Sequence, residues 1–69
     1  MIHIKLSRIA GDRRVNKQDL INATGKSRPT IMALWNDTAT TIDLVTLDKL
    51  CRFLNCTPQD LIEYEPENE

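Results

Sequence analysis

The sequence predicts an all-α fold in a single domain over residues 1–69, with five short helices around an aliphatic core. Apolar residues recur three and four positions apart in several segments, which is the spacing of one helix face. Only three of the 69 residues are aromatic, so the core must come from Leu, Ile, Val and Ala, which suits packed helices. Residues that commonly begin and end helices stand at the borders of these segments. A chain of this length is sufficient for one such domain.

The two ends of the chain carry a different, alternating pattern. Residues 1–6 alternate apolar and polar side chains, which fits either a short strand or an extended entry into the first helix. Since the end alternates as well, Ile2–Ile4 and Ile62–Glu65 could pair as a short terminal β-pair. The first helix is predicted over Lys5–Arg13. Its inward residues are expected to be Leu6, Ile9 and Ala10.

Residues 16–36 hold two short helices joined at Gly25. Asn16 is a favourable N-cap and Asp19 stands in the capping-box position, which places the second helix at Lys17–Thr24. Gly25 can adopt the positive φ angle that ends such a helix without steric cost. Two helices separated by a short turn that contains glycine form a helix-turn-helix unit.

The third helix is predicted over Arg28–Trp35. Ser27 is a good N-cap, and Pro29 belongs in the first turn, where its missing N–H is no loss. Because proline disfavours helical geometry in the residue before it, Arg28 could be the cap instead. The narrow buried face is expected to consist of Ile31 and Leu34.

A polar loop and two further helices complete the prediction. Residues 36–41 show no apolar period, and Ile42 follows as an anchor into the core. Asp43 caps a fourth helix at Leu44–Leu54, and a cap followed by proline starts a fifth at Pro58–Ile62. The apolar stripe of the fourth helix is predicted to comprise Leu44, Leu47, Leu50, Cys51 and Leu54.

Charge is divided unevenly between the two halves of the chain. Residues 1–35 carry seven basic and two acidic residues, a net +5, whereas residues 36–69 carry two basic and eight acidic residues, a net −6. Such a split makes a dipolar surface and favours nucleic acid as a partner, although each charged run could also be a solvated helix face. We expect one basic surface, with the acidic tail 63–69 on the opposite side. The basic surface would contain Arg13, Arg14, Lys17 and Arg28, and the tail Glu63, Glu65 and Glu67.

Few residues could support catalysis or hold a cofactor. His3 is the only histidine and has no Ser, Cys or acid at a motif spacing. Cys51 and Cys56 lack the neighbouring ligands of a zinc site, which predicts two reduced thiols. No apolar run reaches the ~20 residues needed to cross a membrane, and no signal-peptide pattern is present. We therefore expect a cytoplasmic protein that is not an enzyme and uses no cofactor or metal.

Seven residues of the helix-turn-helix stand at the spacing of a known family. They are Leu20, Gly25, Ser27, Thr30, Ile31, Leu34 and Asn36. With the apolar pattern of residues 42–61, the chain resembles the lambda-repressor/Cro-like family of bacterial and phage transcription regulators over residues ~5–62. The resemblance implies a five-helix lambda-repressor-like DNA-binding domain. It further implies a repressor that binds double-stranded DNA as a homodimer and has no small-molecule ligand domain.

The resemblance also assigns roles on DNA. Base readout falls to Arg28, Pro29, Met32 and Ala33. Phosphate contacts fall to Ser27, Thr30 and Asn36, joined by Gln18 and by Lys17, whose charge adds to the positive end of the second helix. Arg13 and Arg14 are further phosphate candidates on charge alone.

Three positions depart from the family pattern. Relatives often have glycine where Arg14 stands, so Arg14 must adopt a left-handed conformation or the first helix must end differently. Relatives also have a small apolar residue at Lys26, and basic residues in the loop that here begins with Asp37. The acidic pI and this loop leave an alternative open, a protein-interaction module of the antitoxin or anti-regulator type.

Overall fold

The computed structural model describes residues 1–66, and within them the chain forms five helices and two strands. In chain order these are β1 (Ile2–Ile4), α1 (Leu6–Asp12), α2 (Lys17–Thr24), α3 (Arg28–Trp35), α4 (Leu44–Leu54), α5 (Pro58–Leu61) and β2 (Ile62–Tyr64). The five-helix fold with a terminal β-pair is confirmed. None of the helices in residues 1–66 is long and apolar enough to cross a membrane.

The helix-turn-helix comprises α2, a turn at Gly25 and α3. Asn16 Oδ1 accepts the backbone N–H of Asp19 at 2.8 Å, and the Asp19 carboxylate accepts the N–H of Asn16 at 3.1 Å, so the capping box is complete. Gly25 has a φ of +71° and donates its N–H to the carbonyl of Ile21. Ser27 is the N-cap of α3, which settles the choice between Ser27 and Arg28.

Three helices end on a non-glycine residue in the left-handed conformation. Arg14 has a φ of +57°, and Asp37 and Asn55 have φ angles of +59° and +53°. At the end of α1, Arg14 and Val15 donate their N–H groups to carbonyls of the last turn at 3.1 and 2.8 Å. Arg14 therefore takes the conformation for which relatives use glycine, at a steric cost of about 1–2 kcal/mol.

The core is aliphatic and draws on every helix. Its fully buried apolar residues are Leu6, Ala10, Leu20, Ile31, Leu34, Leu50, Leu54 and Leu61. Ile42 packs against this cluster as predicted, and the free thiols of Cys51 and Cys56 are partly buried beside it.

The predicted position of Leu44 in the buried stripe of α4 is wrong, because its side chain is 79 % exposed. The fully buried residues of α4 are Thr46, Leu50 and Leu54, spaced four apart. The buried face of α4 is therefore centred on these three residues. Leu44 lies beside that face, in the first turn of the helix, where no other element within residues 1–66 covers it. Val45 is 63 % exposed next to it.

The two chain ends form the antiparallel pair that their alternation predicted. Ile2 pairs with Tyr64, His3 with Glu63, and Ile4 with Ile62. Ile4 and Ile62 pack against the core, which fixes the register of the pair.

Candidate nucleic-acid interface

Helix α3 has one face buried in the core and one face directed outward. Ile31 and Leu34 are buried, which fixes the rotation of the helix about its axis. Arg28 and Pro29 are exposed at its N-terminal end. Met32 and Ala33 follow along the outward side and are half-buried. Three of these four outward side chains offer only apolar surface, and Arg28 carries the strong hydrogen-bond donors.

Arg28 is joined to α2 through Gln18. Its Nη2 donates to Oε1 of Gln18 at 2.7 Å, and Nε2 of Gln18 donates to Oδ1 of Asn22 at 3.1 Å. An arginine side chain has five N–H donors, so this bond leaves donors for another partner. Gln18 was predicted as a phosphate contact. In the structure its side-chain oxygen holds the guanidinium of Arg28, and the phosphate contact stays a prediction.

Lys17 lies against the other end of α3. Its Nζ is 5.2 Å from the centre of the Trp35 ring, within the range of a cation–π contact. Lys17 is also the first residue of α2, where backbone N–H groups have no partner within the helix. A positive side chain and backbone N–H groups without helical partners thus occur together at the start of α2. No pattern in the sequence indicated the contact of Lys17 with Trp35.

Ser27 and Thr30 hydrogen-bond to each other at 3.0 Å across the first turn of α3, and both are exposed. Asn36 is exposed at the C-cap of the same helix. These three predicted phosphate contacts therefore lie at the two ends of α3, on either side of its outward residues.

Arg13 and Arg14 are exposed but are tied to other parts of the fold. The Nε of Arg13 donates to the carbonyl of Leu54 at 2.9 Å, which links the end of α1 to the end of α4. Arg14 is the left-handed residue that follows α1. Within residues 1–66 the hydrogen bonds of Arg13 and Arg14 are with α1 and α4.

Asp37 is bonded to the terminal β-pair. Its Oδ1 accepts the backbone N–H of Ile4 at 2.7 Å, and its Oδ2 lies 2.8 Å from Nδ1 of His3. The N–H of Ile4 and, second, the His3 ring lower the pKa of Asp37. Both carboxylate oxygens thereby have partners within the protein, which holds Asp37 against the terminal β-pair.

The acidic tail was expected on the side opposite the basic surface, and Glu65 departs from that expectation. Its Oε2 lies 2.8 Å from Nε2 of His3, the same ring that contacts Asp37. Glu65 is therefore close to the C-terminal end of α3, whereas Glu63 is exposed on β2. Glu67 falls outside the described residues. No signal in the sequence connected His3 with either acid, because His3 is 34 positions from Asp37 and 62 positions from Glu65.

Lys26 pairs with Asp43, which accounts for a charged residue in a turn where relatives have a small apolar one. The Lys26 Nζ lies 3.1 Å from Oδ2 of Asp43, the N-cap of α4. Thr46, whose backbone N–H donates to Oδ1 of Asp43 at 2.6 Å, and then Lys26 lower the pKa of Asp43 to about 2. The turn of the helix-turn-helix is thus linked to the start of α4.

Within residues 1–66 no cluster of three His, Cys, Asp or Glu side chains could hold a metal ion. The arrangement at α2 and α3 instead combines an exposed arginine, an apolar helix face and small hydroxyl and amide side chains around it. Such a combination suits contact with base edges and phosphates.

These features define a helix-turn-helix DNA-binding domain. The model of the Cro/C1-type helix-turn-helix DNA-binding domain family matches residues 5–67, and the chain belongs to that family. The family assignment agrees with the resemblance found in the sequence.

Two solved structures are similar to the chain. One is a candidate DNA-binding protein from Bacteroides fragilis, with a TM-score of 0.82 and 24 % identity over 91 % of this chain and all of that one. The other is the transcriptional regulator VanUg, with a TM-score of 0.73 and 32 % identity over 96 % of this chain and 89 % of that one. No curated protein matches the chain.

Proposed function

We propose that the protein is a sequence-specific transcription regulator, a repressor acting in a prokaryotic cytoplasm, that inserts α3 into the major groove of DNA. The observation that carries this proposal is the exposed N-terminal end of α3, where Gln18 holds Arg28 at 2.7 Å. In a helix-turn-helix the N-terminal residues of the second helix meet the base edges. The relative VanUg, described as a transcriptional regulator, supports the assignment.

Arg28 is proposed to recognise guanine. Arginine pairs with O6 and N7 of that base through two N–H donors, whereas apolar side chains suit the methyl group of thymine. Pro29, Met32 and Ala33 offer such apolar surface along the outward side of α3. The half-site should therefore contain one dominant guanine flanked by thymines.

The phosphate contacts are proposed to surround this helix. Lys17 supplies positive charge at the start of α2, and Gln18 can reach a phosphate with the same amide that holds Arg28. The exposed polar residues at the two ends of α3 would add neutral contacts. They are Ser27, Thr30 and Asn36. Arg13 and Arg14 contribute positive charge from the end of α1.

The regulator is proposed to bind a two-fold operator as a homodimer. One helix-turn-helix reads only a few base pairs, and binders of this class place two copies about one helical turn, ~34 Å, apart. Leu44 and Val45 are exposed at the start of α4, and two apolar side chains in contact with solvent suit a surface that a second copy covers. Sedimentation on a palindromic operator should show two chains per duplex, and a 1:1 complex would contradict the dimer.

A fluorescence-anisotropy titration with random duplex at several salt concentrations tests DNA binding itself. A regulator should bind even random duplex at low salt, with an affinity that falls steeply as salt rises. Absence of binding at low salt would overturn the proposal.

A second candidate function is that of a protein-interaction module. The exposed apolar residues at the start of α4 and the lack of Lys and Arg in residues 36–43 favour it. The same titration separates the two functions, because an interaction module would leave the duplex free at every salt concentration.

A further inference from the structure

Both ring nitrogens of His3 face carboxylates. Nδ1 lies 2.8 Å from Oδ2 of Asp37, and Nε2 lies 2.8 Å from Oε2 of Glu65. A neutral imidazole has one N–H donor, and an ionised carboxylate can only accept. Both contacts can therefore be hydrogen bonds only when the ring carries two protons and a positive charge.

The two carboxylates belong to different parts of the fold, which the bond from the Ile4 N–H to Asp37 also joins. Asp37 is the left-handed residue at the end of α3, and the next residue, Thr38, donates its N–H to the carbonyl of Ala33 at 2.9 Å. Glu65 follows β2 and exchanges backbone hydrogen bonds with Met1. The His3 ring thus connects the C-terminal end of α3 with both strands of the terminal β-pair.

We propose that His3, Asp37 and Glu65 form a proton-operated clasp that ties the terminal β-pair to the C-terminal end of α3. The clasp is closed while His3 is charged. When His3 loses a proton, one ring nitrogen presents its lone pair to a carboxylate, and one of the two bonds is replaced by repulsion.

Two further charged groups of the terminal β-pair belong to residues near His3 or across from it. Glu63 is the cross-strand partner of His3, so the two side chains lie on one face of the β-pair. The ammonium group of Met1 donates to the backbone carbonyl of Glu65. Glu63 thus adds a negative charge on the His3 face of the β-pair and Met1 adds a positive one, while only the carboxylates of Asp37 and Glu65 contact the ring.

The clasp should act between neutral and alkaline pH. The hydrogen bond to Asp37 and, second, that to Glu65 raise the pKa of His3 above its ordinary value of 6.5. A group whose folded pKa is raised stabilises the fold fully below its unfolded pKa and loses that contribution as pH rises through the folded pKa. The bonds made by His3 are thus present below its ordinary pKa and are lost as pH rises through the raised pKa.

An NMR titration of the imidazole tests this directly, because His3 is the only histidine in the chain. The titration midpoint is expected above 6.5 and should fall in both Asp37→Asn and Glu65→Gln. Glu63→Gln is the matched control, since it removes one negative charge from the same strand without removing a bond to the ring, and its shift should be smaller. A midpoint at or below 6.5, or one that neither variant lowers, would overturn the proposal.

Thermal unfolding shows whether the clasp holds the fold together. Wild type should have a higher Tm than His3→Gln at pH 6, and the difference should shrink towards zero at pH 9. An equal Tm difference at both pH values would show that His3 acts without its proton and would contradict the clasp.

A consequence for DNA rests on the proposed function. Deprotonation of His3 leaves Asp37 and Glu65 unbalanced beside the end of α3, so affinity for random duplex should fall about 2–5-fold more in wild type than in His3→Gln between pH 6 and 9. The NMR midpoint requires no DNA. If the midpoint is raised but DNA does not bind at either pH, the proposed function fails and the clasp stands. If the duplex binds but the midpoint is ordinary, the clasp fails.

Discussion

The two ends of α3 differ in what their side chains are bonded to. At the N-terminal end Arg28 and Pro29 are exposed, and Arg28 uses one of its donors on Gln18. At the C-terminal end Asp37 uses both carboxylate oxygens, on Ile4 and His3. The first end keeps donors available, while the second has its carboxylate hydrogen-bonded within the protein. One end of this short helix is therefore positive and open to solvent, as the proposed function requires, while the other end is bonded to the rest of the fold.

The largest effect is expected on stability, from a substitution in the buried face of α3, which supports both of its ends. Ile31→Ala should lower the free energy of unfolding by about 2–5 kcal/mol, because Ile31 is fully buried and the variant leaves a cavity. Met32→Ala is the matched control on the outward side and should cost less than about 1 kcal/mol. Urea unfolding monitored by circular dichroism measures both. Similar losses in the two variants would mean that the outward face of α3 is assigned incorrectly.

The next effect concerns how the N-terminal end is held. Gln18→Ala should weaken binding to a specific duplex by about 0.5–1.5 kcal/mol, because Arg28 loses the partner that orients it. A double-mutant cycle with Arg28→Ala should show a coupling of the same size. Asn22→Ala removes only the outer bond to Gln18 and is the milder control. Strictly additive losses would show that Gln18 does not act through Arg28.

A substitution at Lys17 distinguishes a phosphate contact from a base contact. Lys17→Ala should weaken binding to all duplex sequences about equally and reduce the slope of log affinity against log salt by about one unit, because one phosphate is no longer neutralised. Arg52→Ala removes the same charge from α4, where Arg52 pairs with Asp48 at 3.1 Å, and should leave the slope unchanged. A sequence-dependent loss in Lys17→Ala would make Lys17 a base-reading residue.

The smallest effect separates backbone strain from side-chain bonding. Arg14 and Asp37 have φ angles of +57° and +59°, which glycine adopts more easily. Arg14→Gly should raise the free energy of unfolding by about 0.5–1 kcal/mol, since relief of strain exceeds the entropy gained by the unfolded chain. Asp37→Gly should gain nothing, because it also removes the bonds to Ile4 and His3. Urea unfolding measures both variants. Equal gains in the free energy of unfolding would mean that the side-chain bonds of Asp37 do not stabilise the fold.

Most of the fold was predictable because its signals are local. Helix starts at Asn16, Ser27 and Asp43, and the turn at Gly25, depend on residues within four positions of one another. The terminal β-pair followed from two matching alternations. Leu44 was misplaced because sequence periodicity shows which residues share a helix face, but not where along the helix that face stops being covered.

The site was predictable as a set of outward residues on α3, but its internal contacts were not. The bond between Arg28 and Gln18 and the contact of Lys17 with Trp35 join different helices. The cluster of His3 with Asp37 depends on how the N-terminal strand meets the residue that follows α3. Contacts of this kind depend on side-chain geometry across long sequence separations, and a lone histidine near a chain end carries no local pattern that indicates them.

Selection of binding sites from random duplex DNA, carried out in parallel with wild type and Arg28→Ala, tests the central claim most directly. Wild type should enrich paired half-sites with one dominant guanine in each. Arg28→Ala should lose that preference at the guanine position alone, with about 1–3 kcal/mol lower affinity for the wild-type site. If Arg28→Ala instead lost affinity equally for every sequence, Arg28 would contact phosphate and the account of the N-terminal end of α3 would be contradicted.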